Sequence, residues 1–475
     1  MSQLRPSASE SSSATEAVSG ETTDARVVPT TALPGPRGFP ILESTVSFAR
    51  DPLAFLESAR EYGDLARYEA FGREFVVVSD PGLVEQVLVS RSDEFWRGTF
   101  EDEFGDQVGL EGVFFATGDQ WRRQRLLLQQ AFTPARIDSY ADDMVSETVR
   151  TIEHWDDGAV VDVNAAFSAL TLRALSRSLF DLSLDDARAE HVRRWVEAMA
   201  SVIETDMFGV RAVLPSWVPS RSEREYQRAK TAVDSLVRDL LEDRRDGDGD
   251  DLFSLLATAE YPDGSRPSAG EITDQLLTFL LAGHETTATA LTYACWFLAG
   301  DDAARDSLAA EVEAVCGDRD PRLEDLPELA VTEAIGREAL RLYPPLPFLH
   351  REPHEPTALG GVWLTPETTV QLNMYGIHRD DRWWADPEAF RPGRWLEDGD
   401  DRPTLEDDTD RPEYAYFPFG GGPRHCIGMR FAMTELQLTL ATLARRVDVE
   451  RVTTSLEPSL AVSLDPGPVE MRVQR

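Results

Sequence analysis

A chain of 475 residues, 42% of them hydrophobic, can bury a sizeable core, which excludes wholesale disorder. Its 85 acidic against 47 basic residues leave a formal net charge of −38, so the basic footprint that a phosphate backbone requires is missing and nucleic acid is excluded as a partner. Acidic residues are spread along the chain and Lys230 is its only lysine, which fits the solvated acidic surface of proteins from very salty cytoplasm better than a binder of cationic partners.

Residues 1–30 are rich in Ser, Thr and Glu, lack the apolar stretch of a signal peptide, and read as a disordered tail. Residues 31–475 read as one domain, led in by the Pro/Gly-rich LPGPRGFP. RYEAFGREFVVVSDP predicts two short strands joined near Gly72, since Phe75 to Val78 is a β-prone run. Apolar residues at three- and four-residue spacing then predict helices over 121–132, 135–154, 163–180, 185–205, 222–245, 268–299, 302–316, 327–342 and 428–446. DRRDGDGDD at 243–251 and EDGDDRPTLEDDTDRPE at 397–413 predict solvated loops, and GGVWLTPETTVQLNMYG at 360–376 predicts a hairpin turning at Pro366. No change of composition separates two units, so the expected fold is mainly α with a small β region.

The helix at 268–299 is unusual. LLTFLLAGHETTATALTYACWFLAG, from Leu276 to Gly300, is apolar at both ends but carries His284-Glu285-Thr286-Thr287 in its middle. Ser268-Ala269-Gly270-Glu271 fits a capping box at its start. Running to Leu298 it is about 45 Å long, enough to cross a whole domain and to place Glu285 and Thr286 near its centre. Burying a carboxylate without a partner costs several kcal/mol, so this placement calls for a function. Asp274 and Glu285 also break the run of about 20 apolar residues that a membrane span needs.

The three cysteines, Cys295, Cys316 and Cys426, argue against a disulfide framework and for a reducing compartment such as the cytoplasm. Cys295 and Cys316 supply no paired spacing for zinc. Cys426 lies in FPFGGGPRHCIGMRFAMTELQ, after a glycine run and just before a helix. The glycines allow positive φ angles and close approach to a flat ligand. The helix N-terminus near Gly428 favours a thiolate, the form that ligates metal, and Arg424 could meet a carboxylate. By themselves these residues fit an inert buried cysteine in a glycine loop equally well.

Phe419-x-x-Gly422-x-Arg424-x-Cys426-x-Gly428 resembles the heme-binding loop of the cytochrome P-450 family, and the resemblance extends over essentially the whole chain from about Leu33. It implies a b-type heme (iron protoporphyrin IX) with Cys426 as axial thiolate, a ligation that favours O–O cleavage, under a long central helix in the cytochrome P-450 fold. Glu338-Ala339-Leu340-Arg341 resembles the family's ExxR, whose spacing puts both side chains on one helix face. FRPGRW at 390–395 resembles the segment that would bring Arg394 into an Arg-Glu-Arg network, although Gly393 stands where the family often has glutamate. These residues are assigned to folding and support of the heme loop.

In WRRQR, Trp121 and Arg125 match the helix in which the family contacts a heme propionate, and a guanidinium fork suits a carboxylate. Arg351 falls where many soluble members place another propionate-binding arginine. Ala282-Gly283-His284-Glu285-Thr286-Thr287 matches the family's segment over the heme. The resemblance implies that Thr286 hydrogen-bonds oxygen at the iron and that Glu285 relays protons from solvent. Small Ala282 and Gly283 are expected to leave room for dioxygen and substrate, and His284, at the variable position, has no expected role.

Phe100, Phe104, Phe114, Phe115, Leu346 and Phe348 are the candidate pocket residues, and they suggest an apolar substrate such as a fatty acid, terpenoid or steroid-like molecule. No flavin or iron–sulfur pattern follows the heme loop, so the resemblance implies an external ferredoxin- or flavodoxin-type reductant, docking on a basic patch of Arg122, Arg123, Arg424 and Arg430. A soluble monomer without a transmembrane anchor, from a halophilic archaeon, is expected. The implied activity is a heme-thiolate monooxygenase that inserts one oxygen atom from O2 into the substrate by hydroxylation or epoxidation. A peroxygenase or isomerase is the alternative enzyme, but those branches commonly lose the acid–alcohol pair, which is intact here. A non-catalytic heme sensor would leave that pair without purpose.

Overall fold

The computed structural model describes residues 27–475 except 37, 39–43, 182–189, 203–220, 244–250, 262, 398, 400–401, 407–409 and 461–462. The predicted tail at 1–30 lies mostly outside the described residues, as does most of the predicted loop at 243–251. The end of the tail does not. Val28–Pro29 forms a strand parallel to Val362–Leu364.

Ten helices of ten or more residues occur among the described residues. They are α1 (Thr99–Val108), α2 (Gly118–Leu128), α3 (Pro134–Glu153), α4 (Val163–Phe180) and α5 (Glu190–Val202). The others are α6 (Arg221–Asp243), α7 (Ala269–Leu298), α8 (Asp302–Cys316), α9 (Ala330–Leu342) and α10 (Met429–Arg446). The nine predicted helices correspond to α2 through α10, with ends moved by a few residues. The sequence reading missed α1, whose apolar residues Phe100, Phe104 and Val108 recur every four residues but stand isolated among acidic residues and glycine. No helix among the described residues is long and apolar enough to cross a membrane.

The central helix α7 packs against α4, α6, α9 and α10. Its N-cap is the expected one, with Ser268 Oγ accepting from Glu271 N at 3.1 Å. The Glu271 carboxylate accepts instead from Tyr261 Oη, on the segment before the helix. α4 lies close at Gly283, where a Cβ would lie 3.0 Å from Leu175 Cδ2, and Thr171 Oγ1 donates to His284 O at 2.8 Å. The small side of Gly283 therefore serves helix packing, not space for dioxygen as expected from sequence.

Five strands form the main sheet in the order Leu65–Ala70, Arg73–Val78, Thr368–Leu372, Leu349–Pro353 and Phe95–Trp96. Arg73–Val78 is parallel to Thr368–Leu372 and the other neighbours are antiparallel. The first two strands are the predicted pair, turned by Phe71 and Gly72 at φ 54° and 70°. The predicted hairpin at 360–376 is not a ladder. The chain reverses where Thr368 N donates to Thr365 O, but Val362–Leu364 pairs with Thr357–Leu359 while Thr368–Leu372 enters the main sheet. All five residues of Thr368–Leu372 are buried, and a strand covered on both faces takes two ladder partners in the interior. The acidic segment at 397–413 also holds order, since Leu396–Glu397 pairs with Thr404–Leu405.

Candidate functional site

The Cys426 loop is pressed into place by its glycines. Gly420 and Gly422 take φ of 69° and 63°. A Cβ on Gly422 would lie 1.7 Å from Leu88 O, and one on Gly421 would lie 2.4 Å from the Tyr414 ring, so only glycine fits. Cys426 N donates to Phe419 O at 2.9 Å, and α10 starts from its N-cap at Gly428. Burial pushes the Cys426 thiol up, opposed by the Gly428 N–H bonded to the sulfur and by the Arg125 guanidinium. Cys295 and Cys316 are buried, whereas Cys426 is exposed.

Around the loop gather Arg97, Arg125, Arg351 and Arg424. Arg424 Nη2 donates to Ala116 O at 2.9 Å while its guanidinium carbon lies 4.5 Å over the ring of half-buried Trp121. Arg351 Nη1 donates to His350 O at 2.6 Å, and Arg125 Nη2 lies 3.2 Å from His425 Nε2. Arg97 is 4% exposed and donates to Asp102 at 2.9 Å and to Phe114 O, with its Nε left without a partner. Among the described residues no carboxylate pairs with Arg125, Arg351 or Arg424.

Burial pushes Arg424 down to about 9, with Arg351 and Arg97 adding and Asp102 opposing. Burial likewise pushes Arg351 down to about 10, opposed by Glu101 and reinforced by Arg97. Arg97 and Arg125 are also lowered by burial. Cations held together in low dielectric repel one another, and a flat ligand with two carboxylates answers that repulsion through charge-assisted forks. Trp121, Arg125, Arg351, Arg424 and Cys426 are thus brought together. Arg97 was missed, because an arginine in WRGTF carries no spacing signal.

In the middle of α7, Ala282 is exposed and Glu285 and Thr286 are half-buried, while most of the helix is buried. Thr286 Oγ1 donates to Ala282 O at 2.7 Å, and the helix runs on unbroken. Burial pushes the Glu285 carboxyl up to about 7, the Asp465 charge adds, and a hydrogen bond with Ser463 opposes. His284 is buried with Nδ1 2.6 Å from Leu280 O, and burial lowers it toward the neutral form. Phe114 is exposed and Phe115 buried; the Phe100 and Phe104 side chains lie outside the described residues. Leu346 is half-buried. Phe348 packs its ring on His350 and Phe48, at 4.9 and 5.9 Å, within the aromatic cluster near the start of the domain.

The Glu338 carboxylate is fully buried and accepts from five donors. Arg341 Nε and Nη2 donate at 2.9 and 2.8 Å, Arg394 Nε at 3.0 Å, Trp395 Nε1 at 2.9 Å and Arg391 N at 2.9 Å. Arg341 Nη1 also donates to His378 O at 2.7 Å, and His378 Nε2 accepts from Phe417 N at 3.0 Å, two residues before the loop motif. That link from the network to the loop was not readable from sequence. A Cβ on Gly393 would meet nothing within 4 Å, so its departure from the family pattern costs no packing. The expected basic patch is smaller than four residues. Arg424 turns inward, and Arg123 lies 4.3 Å over the Tyr261 ring, leaving exposed Arg122, paired with Asp119 at 2.9 Å, and exposed Arg430.

Known proteins resemble this chain. The sequence profile described as cytochrome P-450 matches residues 33–472. Cyclooctatin synthase of Streptomyces melanosporofaciens is 37% identical, over 92% of this chain and 94% of its own. Cyclooctat-9-en-7-ol 5-monooxygenase of the same organism is 32% identical over 88% and 89%, and pentalenene oxygenase of Streptomyces avermitilis is 30% identical over 92% and 96%. The solved cytochrome P-450DA heme domain superposes with a TM-score of 0.82 at 24% identity, over 95% of this chain and 98% of that one, which shows a shared fold.

Proposed function

The chain belongs to the cytochrome P-450 family, as a heme-thiolate monooxygenase, and on that premise we propose which residues carry the activity. Cys426 would supply the thiolate ligand of the heme iron. Arg97, Arg125, Arg351 and Arg424 would hold the heme carboxylates, with Trp121 stacked beneath Arg424. Glu285 and Thr286 are the catalytic pair. The single observation behind this reading is a cluster of buried Arg97 and half-buried Arg125, Arg351 and Arg424, largely without carboxylate partners, around an exposed Cys426.

Bound heme supplies the activation of O2 that inserts one oxygen atom into an apolar organic substrate. The chain's own residues set the conditions. The Gly428 N–H and the Arg125 charge act toward the Cys426 thiolate, against burial, which pushes the thiol up. Thr286 has its hydroxyl proton committed to Ala282 O, which leaves its oxygen as an acceptor that can hold a proton donor in place. Glu285, protonated up to about pH 7, is a proton source at neutral pH.

Two relatives are named for cyclooctat-9-en-7-ol and for pentalenene, an unsaturated alcohol and an alkene, and together with exposed Phe114 they support a terpenoid-like substrate. A type I spectral shift across a terpenoid panel tests the class. We assign the electron supply to an external ferredoxin- or flavodoxin-type protein docking near Arg122 and Arg430, and we read the chain as a cytoplasmic monomer. The heme assignment is tested by the reduced, CO-bound spectrum. The far-red Soret band of a thiolate-ligated heme is expected in the native protein and absent in Cys426→Ser. Its survival in that variant would refute the ligand assignment.

A further inference from the structure

The loop that carries Cys426 is entered through buried Phe417, whose amide donates to His378 Nε2 at 3.0 Å. Hydrogen bonds continue from there to the cysteine. Phe417 O accepts from Gly420 N at 2.8 Å, closing the turn Phe417-Pro418-Phe419-Gly420, and Phe419 O accepts from Cys426 N at 2.9 Å. Pro418 brings no N–H of its own, so the Phe417 amide is the donor by which the turn is tied to the rest of the fold at its start. His378 is fully buried and fixed on several sides. Its N donates to Met374 O at 2.9 Å, and its O accepts from Arg341 Nη1 on α9 at 2.7 Å. Its ring stacks on Tyr416 at 5.3 Å and meets the Phe417 ring edge-on at 5.4 Å. Tyr416 Oη in turn donates to Arg337 O on α9 at 3.2 Å. A ring nitrogen that accepts from an amide carries no proton, which places the proton on Nδ1 and leaves the imidazole neutral. Burial above all, then the Arg341 charge, acts in the same sense and holds the ring well below the usual histidine range.

We propose that His378 is a positioning residue for the Cys426 thiolate: as the Nδ1–H tautomer, anchored to α9 through its own carbonyl, it receives the Phe417 amide and sets the turn from which the Cys426 backbone hangs. The route is unbroken, from Arg341 to His378, from His378 to Phe417, across the turn to Gly420, and from Phe419 to Cys426. An imidazole suits this task because its single acceptor lone pair lies in the ring plane, so a ring held by Tyr416 also fixes the direction of the amide. A carbonyl, with two lone pairs, would leave that direction freer. The Phe417 amide is buried, and a buried amide without an acceptor costs its full desolvation, so the turn is bound to the ring and not merely packed on it. Tyr414 presses on the same segment, with its ring 6.1 Å from that of Phe417 and 2.4 Å from where a Cβ on Gly421 would lie. On this reading the Glu338 network does more than support folding, since through Arg341 and His378 it sets the backbone of the ligand loop by directional bonds.

This inference rests on the reading of Cys426 as the heme thiolate, and the test separates the two. In reduced, CO-bound holoenzyme labelled with 15N-histidine, the ring assigned by its loss in His378→Gln should show a protonated Nδ1 and an unprotonated Nε2 at neutral pH. A protonated Nε2 could not accept from Phe417 and would overturn the inference. His378→Leu keeps an apolar side chain but removes the acceptor. In the holoenzyme it should speed amide hydrogen exchange over 414–428 about tenfold, with exchange in α10 unchanged, and the far-red Soret band should be lost about tenfold faster on warming. His378→Gln, whose amide oxygen can reach the place of Nε2, should restore both rates toward those of the parent. A leucine variant matching the parent, or a glutamine variant as impaired as leucine, would reduce His378 to packing and overturn the inference while the Cys426 assignment stands. Survival of the far-red band in Cys426→Ser would remove the ligand assignment, and this inference with it.

Discussion

Replacing Arg351 with Met should change stability in opposite directions with and without heme. In the protein alone, burial takes the guanidinium down from its ordinary value to about 10. At about 1.4 kcal/mol per pH unit, the charged form is disfavoured in the fold by about 3 kcal/mol. Because the folded-state value lies below the unfolded one, this penalty is present at neutral pH and fades as pH rises through about 10. Met keeps an apolar stem of similar reach without the charge. Urea unfolding of heme-free Arg351→Met at pH 7 should therefore show a gain of up to about 3 kcal/mol. The heme-loaded variant loses a charge-assisted hydrogen bond to a propionate, worth about 1.5–3 kcal/mol, so transfer of heme to apomyoglobin should be about 10- to 100-fold faster. A heme-free variant no more stable than the parent, or an unchanged rate of heme loss, would refute the arginine-cluster argument.

Glu338→Ala leaves Arg341 buried without its carboxylate and should cost about 3–5 kcal/mol, seen as loss of soluble heme-loaded protein; a normal yield would show that the network is dispensable. Thr286→Ala should keep heme content and the CO spectrum but divert electrons to peroxide, and unchanged coupling would count against its assigned role. Glu435, 1% exposed with Oε1 lacking a partner, is pushed by burial from 4.5 up to about 8. The stability it contributes is full below about 4.5 and is lost progressively as pH rises to about 8, so Glu435→Gln should flatten the pH dependence of the unfolding midpoint across that window. An identical slope in the variant would mean that the carboxyl is solvated.

The parts of this site that could be read in advance are those fixed by local chemistry. Cys426 stands two residues before a helix cap, Glu338 and Arg341 share a helix face, and Glu285 interrupts an apolar period, so each announces itself within a few residues. What could not be read depends on chain segments far apart. Arg97 joins Arg351 and Arg424 only because Phe95–Trp96 pairs with Leu349–Pro353, placing the next residue beside the cluster. His378 connects the Glu338 network to Phe417 through its carbonyl and its ring, and neither bond leaves a trace in spacing. The 360–376 segment misled for the same reason. Its alternation is real, but the parallel neighbour Arg73–Val78 lies almost three hundred residues earlier, and tertiary burial overrode the local hairpin.

Arginine at the cofactor cluster does more than neutralise charge. The loop between α1 and α2 is held by side chains from elsewhere. Glu111 N donates to Asp274 at 3.3 Å, Gln124 donates to Glu111 O at 3.1 Å, and Val113 N donates to Gln275 at 2.9 Å. The next two holds, at Phe114 O and Ala116 O, come from Arg97 and Arg424. A guanidinium carries five N–H donors in a planar fork, so one edge can bond a carbonyl while another faces a carboxylate. On the proposed assignment, fixing the plane of Arg97 or Arg424 against a propionate would also fix the carbonyl it bonds, on either side of Phe115. An ammonium, with its donors on a single point, cannot hold both partners in one plane. With a single lysine in the chain, composition alone would assign these arginines to a general preference; the bonds to Phe114 and Ala116 give them a local reason.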